Sequence, residues 1–291
     1  MNQITSIEMN PTPVGLGKLS IKEKLSQFPW WFAALIVIMV TTFITITIKP
    51  SYTEAFNIIK VGIVTTIRIT LISFLIALGL GLITGLGRIS KNVFFRNLAT
   101  LYVEFIRGVP MLVLIFFIAL VAVPATVTGL NSLGHWLQST GLSILATPFL
   151  ALENKAINMS VRAIVALSVT YGAFLAEIFR AGIQSVSKGQ MEAARSQGMS
   201  SSQAMFYIIL PQAIRNVLPA LGNDFVAMLK DSSLVSVLAV RDVTQVARLY
   251  AGSSFRFNEA YMTLAILYLS MTIVLSLLVK YVERRVRQDE H

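Results

Sequence analysis

The sequence predicts an all-α fold, a polytopic helical membrane protein with about six transmembrane helices. Three observations carry that prediction. Hydrophobic residues make up 55% of the chain and charged residues only 13%, whereas a soluble domain carries about 25% charge. Apolar runs of the ~20 residues needed to cross ~30 Å of hydrocarbon recur along the chain. The Lys and Arg residues behind the formal net charge of +10 lie in short segments between those runs rather than in one patch, which argues against nucleic acid as a partner. There is no cysteine, and His135 and His291 are the only histidines, so disulfides, thiolate metal sites and His-cluster metal sites are excluded.

The expected spans are 29–48, 57–86, 97–123, 158–182, 212–238 and 259–282. The first opens on Trp30 and Trp31, aromatic residues that favour the membrane interface. Lys18 to Lys24 followed by an apolar run has the outline of a signal peptide. The run is longer than a signal core and no small-x-small site follows it, so an uncleaved span is expected, preceded by a cytoplasmic arm over 1–28. The second span carries Gly79, Gly81, Gly85 and Gly87, small residues that let helices pack closely, here in the core or at a dimer seam. Arg68 sits alone in its outer half. The third and fourth spans each hold an acid and a base three residues apart, Glu104 with Arg107 and Glu177 with Arg180, so each pair shares a helix face. A four-member intramembrane network follows, acting either as an inner gate or as static packing. Gly108 and Pro110 should kink or loosen the third helix. Residues 124–157 form the longest outer loop, either a lid or a cover for the span ends. The fifth span is the most polar, with Asn216, Asn223, Asp224, Lys230, Asp231, Ser232 and Ser233. Each charge at mid-membrane costs at least ~2.5 kcal/mol, so this helix is expected among protein or along an aqueous path.

Basic residues set orientation. Lys18, Lys22, Lys24, Arg88, Lys91, Arg96, Lys188, Arg195, Lys280, Arg284, Arg285 and Arg287 fall on one side. Lys49, Lys155, Arg241, Arg248 and Arg256 fall on the other. Both termini, including a 286–291 tail, and the 183–211 segment are therefore expected in the cytoplasm.

That segment includes KGQMEAARSQGMSSSQAMFYIILPQ at 188–212. Met191, Glu192, Ala193, Ala194 and Arg195 are good helix formers, and Gly198 can end the helix in the left-handed region. Ser200, three residues before Gln203, fits a capping box for a second short helix. The expectation is helix, turn, helix along the inner membrane face. Its small residues would let another backbone approach, and an ordinary amphipathic interfacial loop fits the same residues equally well.

Glu192, Ala193, Ala194, Gly198, Ile208, Leu210 and Pro211 resemble the cytoplasmic loop of binding-protein-dependent ABC importer permeases. VEFIRGVPMLV at 103–113, AEIFRAGIQSVSKGQMEAA at 176–194, LPQAIRNVLPAL at 210–221 and MLKDSSLVSVLAV at 228–240 resemble the polar amino acid branch. Together they cover about 55–285, which is expected to be the permease domain, with 29–50 an additional N-terminal helix because the family core has five spans. The resemblance implies that the short helix within 188–210 is a cytoplasmic coupling helix, with Glu192, Ala193, Ala194, Gly198 and Pro211 contacting the ATPase. It implies two ABC ATPase subunits, a second permease subunit (the same or homologous), an extracytoplasmic amino acid-binding protein, a polar amino acid as substrate and the lipid bilayer around them. Asn223, Asp224, Lys230, Asp231, Ser232 and Ser233 are candidates for the translocation path.

No G-x-x-x-x-G-K-S/T phosphate loop occurs, and no nucleophile stands beside a base. No catalytic site and no bound cofactor is expected in this chain, ATP and Mg being held by the partner ATPase. Two rivals are an ion-gradient-driven secondary transporter, with Asp224, Lys230 and Asp231 as ion sites, and a membrane scaffold without a pathway. The secondary transporter leaves the 188–210 loop unexplained, and co-purification without solute uptake would favour the scaffold.

Overall fold

The computed structural model describes residues 30–288, and every regular element among them is helical. The expected 1–28 arm and the last three residues of the tail lie outside the described residues. Contacts divide the chain into two units, Met1–Ile44 and Thr45–His291. The described part of the first is most of helix α1 (Trp30–Ile48). Its Val37, Ile38 and Phe43 are exposed, and the Thr42 hydroxyl donates to the Ile38 carbonyl at 2.8 Å. That bond hides a polar group on an otherwise apolar helix.

In the second unit, α2 (Pro50–Ile59) and α3 (Gly62–Arg88) run on as a 39-residue apolar stretch. Helix α4 (Val93–Gly108) begins on Asn92, whose side chain accepts from the Phe94 N–H at 2.9 Å. The span expected over 97–123, with a kink or loosening at Gly108 and Pro110, is broken outright at Val109 and Pro110. Proline denies the preceding residue the helical region, and Val109 is extended (φ −111°, ψ 138°). The membrane-crossing helix starts after the break, as α5 (Met111–Phe117), a π turn (Ile118–Ala122) and α6 (Val123–Ser139). The outer loop expected over 124–157 is thus largely helical. It holds α6 and the returning α7 (Ser143–Leu150), followed by an irregular stretch that leads to α8 (Met159–Ser185). Helix α9 (Lys188–Ser196) follows. Next come α10 (Ser201–Ala204), a second π turn (Met205–Ile209), α11 (Leu210–Asp231) and a 3-10 turn (Ser232–Leu238). Helices α12 (Val243–Ser254) and α13 (Phe257–Gln288) close the chain.

Among the described residues, five stretches are long and apolar enough to cross a membrane: Pro50–Arg88, Met111–Ser139, Met159–Ser185, Ser201–Leu238 and Phe257–Arg285. Ala33–Ile48 is a shorter apolar helix. Helix α8 is the central post, and α3 lies against it so closely that side chains are excluded. A Cβ on Gly81 would stand 2.7 Å from the Leu175 Cβ, and one on Gly85 would stand 2.9 Å from the Ala176 carbonyl oxygen. Small residues allow this approach, which in lipid yields packing energy without help from hydration. Of the glycines in that span, Gly79 meets nothing within 4 Å. Buried Arg162 on α8 donates to the carbonyls of Ala119 (3.1 Å), Asn154 (2.8 Å) and Ile157 (3.0 Å). It thereby ties the first π turn to the chain that re-enters α8.

Candidate functional site

The site is built from three groups of residues. The first is the 188–210 loop. Ser187 opens α9 by accepting from the Gly189 N–H, at 3.3 Å. Gly198 closes it at φ +87°, with the Met199 N–H bonded to the Ala194 carbonyl (3.2 Å) and the Gly198 N–H to Arg195 (3.0 Å). This is a Schellman end, and a Cβ at that φ would be strained. The capping box at α10 is complete in both directions: Ser200 Oγ accepts from the Gln203 N–H at 3.2 Å, and Gln203 Oε1 accepts from the Ser200 N–H at 2.8 Å.

One face of α9 is anchored. Ala194 is buried, and Met191 packs on a cluster of Ile183, Ile209, Leu210 and Ala213. The opposite face presents Glu192, Ala193, Arg195 and Gly198 outward. Glu192 and Arg195 share that face, yet neither makes an ion pair among the described residues. Pro211 is exposed in the first turn of α11, where a missing N–H costs nothing. The arrangement is a short capped helix held to the bundle by two apolar side chains, with the charges of Glu192 and Arg195 exposed.

The second group lies at the same end of the bundle. Arg88, the last residue of α3, reaches both acids: Nη1 to Glu177 Oε2 at 2.6 Å and Nη2 to Glu104 Oε1 at 3.2 Å. Arg180 donates through Nε to Glu177 Oε1 at 3.0 Å, adds a second bond from Nη2, and gives Nη1 to Gln184 at 2.6 Å. Glu177 and Arg180 pair as their spacing suggests, whereas Glu104 does not pair with Arg107 and joins them only through Arg88. Arg107 makes no ion pair among the described residues, and Arg88 takes that place, joining α3, α4 and α8. Its signal in the sequence is position alone: a cation ending an apolar helix at the membrane side where both acids lie.

The third group is on α11. Asn216, Asn223 and Lys230 recur every seven residues, so they fall on one stripe of the helix, and all three are exposed. Asn216 donates to Ser185 Oγ at 3.0 Å. Asp224 and Asp231 form a second, half-buried line, with Asp231 accepting from the Tyr171 hydroxyl at 2.7 Å. Ser232 is fully buried and returns its hydroxyl to the Leu229 carbonyl at 2.7 Å, away from any stripe. Ser233 is half-buried in the 3-10 turn. A groove between α3, α11 and α13 is lined mostly by apolar side chains such as Ile67, Leu71, Phe225, Leu229 and Leu278, with Thr70 and Ser270 its polar residues and no charged group. Of the polar candidates, Asn223 and Lys230 lie on the exposed side of α11.

Comparison with known proteins fits this geometry. The family model described as "Binding-protein-dependent transport system inner membrane component" matches residues 77–288. The chain is 39% identical over 224 residues to the probable glutamine ABC transporter permease protein GlnM of Bacillus subtilis, covering 76% of this chain and 91% of that protein. It is 35% identical over 231 residues to the nopaline transport system permease protein NocM of Agrobacterium fabrum, covering 79% and 88%. A crystal structure of an amino acid ABC transporter with histidines superposes with a TM-score of 0.62 at 35% identity, over 80% of this chain and 95% of that one.

Proposed function

The chain belongs to the binding-protein-dependent transport system inner membrane component family, and from that membership we propose that it forms one half of the path by which an ATP-driven importer takes up a polar amino acid. It is the membrane subunit of an ABC importer, a multi-pass inner-membrane protein. The ion-gradient-driven transporter finds no support among its relatives. The finer reading is our own. Two permeases, alike or homologous, face each other across the polar stripes of α11, and an ATPase subunit docks under each on the 188–210 loop. A binding protein delivers substrate from outside. Both termini lie in the cytoplasm, residues 55–285 form the permease domain, and 29–50 adds a helix to it.

The observation that carries the reading is α9: a capped helix whose inner face is locked to the bundle and whose outer face is unpaired. A force applied to such an element passes to α8 and α11 rather than being lost in a loop. Nucleotide binding and hydrolysis occur in the partner, with Mg. This chain's residues receive the push (Glu192, Ala193, Ala194, Gly198, Pro211) and line the route (Asn223, Asp224, Lys230, Asp231). Glu104, Glu177, Arg180 and Arg88 form a clasp on the cytoplasmic side that holds one of two packings of similar energy. Arg107 remains near that clasp without joining it.

Reconstitution tests this. Proteoliposomes holding the permease, its ATPase and its binding protein should take up radiolabelled glutamine or another polar amino acid with ATP inside and no ion gradient. Uptake that follows a proton or sodium gradient and ignores ATP would refute it.

A further inference from the structure

The α6–α7 hairpin is not accounted for by coupling or by the path. From Gly108 to Leu152 the chain carries no Asp, Glu, Lys or Arg. Met111–Ser139 is a 29-residue helical stretch, about 43 Å long at 1.5 Å per residue, which exceeds ~30 Å of hydrocarbon. An upright helix therefore carries the hairpin's tip into the headgroup layer. Helix α7 then turns back over eight residues and packs on α6 at Gly134, where a Cβ would stand 3.0 Å from the Phe149 Cβ.

The face turned away from that contact is apolar. Trp136 is 60% exposed, Leu142 48%, Ile144 90% and Leu145 58%. It continues the exposed apolar surface of the span itself, at Val113, Phe117 and Val121. Six hydroxyls in between are satisfied within the hairpin, while the Asn131 Oδ1 atom is buried with no partner among the described residues. The hydroxyls of Thr126, Thr128, Ser132, Ser139, Thr140 and Thr147 each donate to a carbonyl three or four residues earlier, at 2.7–3.1 Å. The turn closes on Gly141 at φ +86°, with the N–H groups of Gly141 and Leu142 bonded to the carbonyls of Gln138 and Leu137. Backbone and hydroxyls satisfied from within are what a low-water environment demands. Exposed His135 and Gln138 have no such arrangement, and Pro148 denies the Ile144 carbonyl a helical partner. These set the depth at the headgroup layer, where Trp is also favoured.

We infer that α6–α7 is a bilayer-anchoring hairpin, with Trp136, Leu142, Ile144 and Leu145 seated on phospholipid at the interface. Its assignment to the outer leaflet rests on the orientation proposed above. A seat for a soluble binding protein would need charge for steering and specificity, and this surface has none. The hairpin fixes the outer end of the span, while Arg162 fixes the π turn beneath it.

The chain has no cysteine, so single-cysteine variants report on depth in the assembled importer in nanodiscs. Lys155→Cys should react with a water-soluble maleimide, whereas Ile144→Cys and Leu145→Cys should show no reaction. A nitroxide at Ile144→Cys should collide with oxygen more than with a nickel chelate and should sense brominated phospholipid. Ready labelling at Ile144→Cys would overturn the inference. So would a nitroxide shielded from both oxygen and lipid, which would mean that a second permease or the binding protein covers the face. Labelling of Lys155→Cys from the cytoplasmic side in sealed vesicles would reverse the proposed orientation while leaving the depth result intact.

Discussion

Arg88 holds two carboxylates on two other helices, and its side chain is only 14% exposed against 63% for Glu104 and 28% for Glu177. The Arg88–Glu104 contact is close to a surface pair and contributes at most about 1 kcal/mol. The Arg88–Glu177 contact is better shielded, and its loss leaves Glu177 with Arg180 alone. Arg88→Gln should therefore lower thermal stability of the purified complex by about 1–2 kcal/mol, and Arg107→Ala should lower it by less. Differential scanning fluorimetry on both variants checks this, and equal losses would contradict the assignment. Spacing within a helix finds partners that share a face, which is how Glu177 and Arg180 were legible in the sequence. It cannot find partners on different helices, and so it pairs Glu104 with Arg107 and passes over Arg88. Ser232 shows a similar limit: its side chain belongs to the polar run by composition and to the backbone by geometry.

At the scale of the element, α9 and α10 were readable almost to the residue, because caps and left-handed glycines are local chemistry. The break at Val109–Pro110 was readable as a weak point, but its consequence was not. Whether a chain resumes as a new spanning helix depends on the tertiary contacts that Met111 and Ile115 find. The helical 123–150 hairpin was hidden for the same reason: Gly, Pro, Ser and Thr signal a loop in water, yet on an uncharged chain they can remain helical when their hydroxyls bond the helix itself. For the coupling loop the expectation is loss of communication without loss of fold. Glu192→Lys reverses a charge on the exposed face and leaves the backbone alone. Gly198→Trp adds bulk and places a side chain at φ +87°, at roughly 1–2 kcal/mol of local strain. Both should keep the monodisperse assembly and basal ATPase activity while uptake per ATP falls at least about tenfold, equivalent to 1.4 kcal/mol of coupling. Parallel uptake and phosphate-release assays separate this from simple misfolding.

For the whole molecule, the polar stripe on α11 calls for a cover other than lipid. Exposed Lys230 and Asn223 on a membrane-crossing helix would cost several kcal/mol against lipid, while a second stripe or a file of water removes that cost. The packed half of the bundle (α3 on α8, with α12 capped by Asp242 against α3) gives this open face a stable backing. The 3-10 turn and left-handed Ala239 then end the helical stretch that α11 begins. The proposed drive of this bundle passes through α9. A benzophenone attached at Ala193→Cys in the reconstituted importer, photolysed with and without ATP, probes that contact. The expected product is an adduct between the permease and the ATPase subunit whose yield changes with nucleotide. An intact, transporting complex that gives no such adduct, or a cysteine at 193 that reacts only from the outer face of the membrane, would contradict the proposed drive.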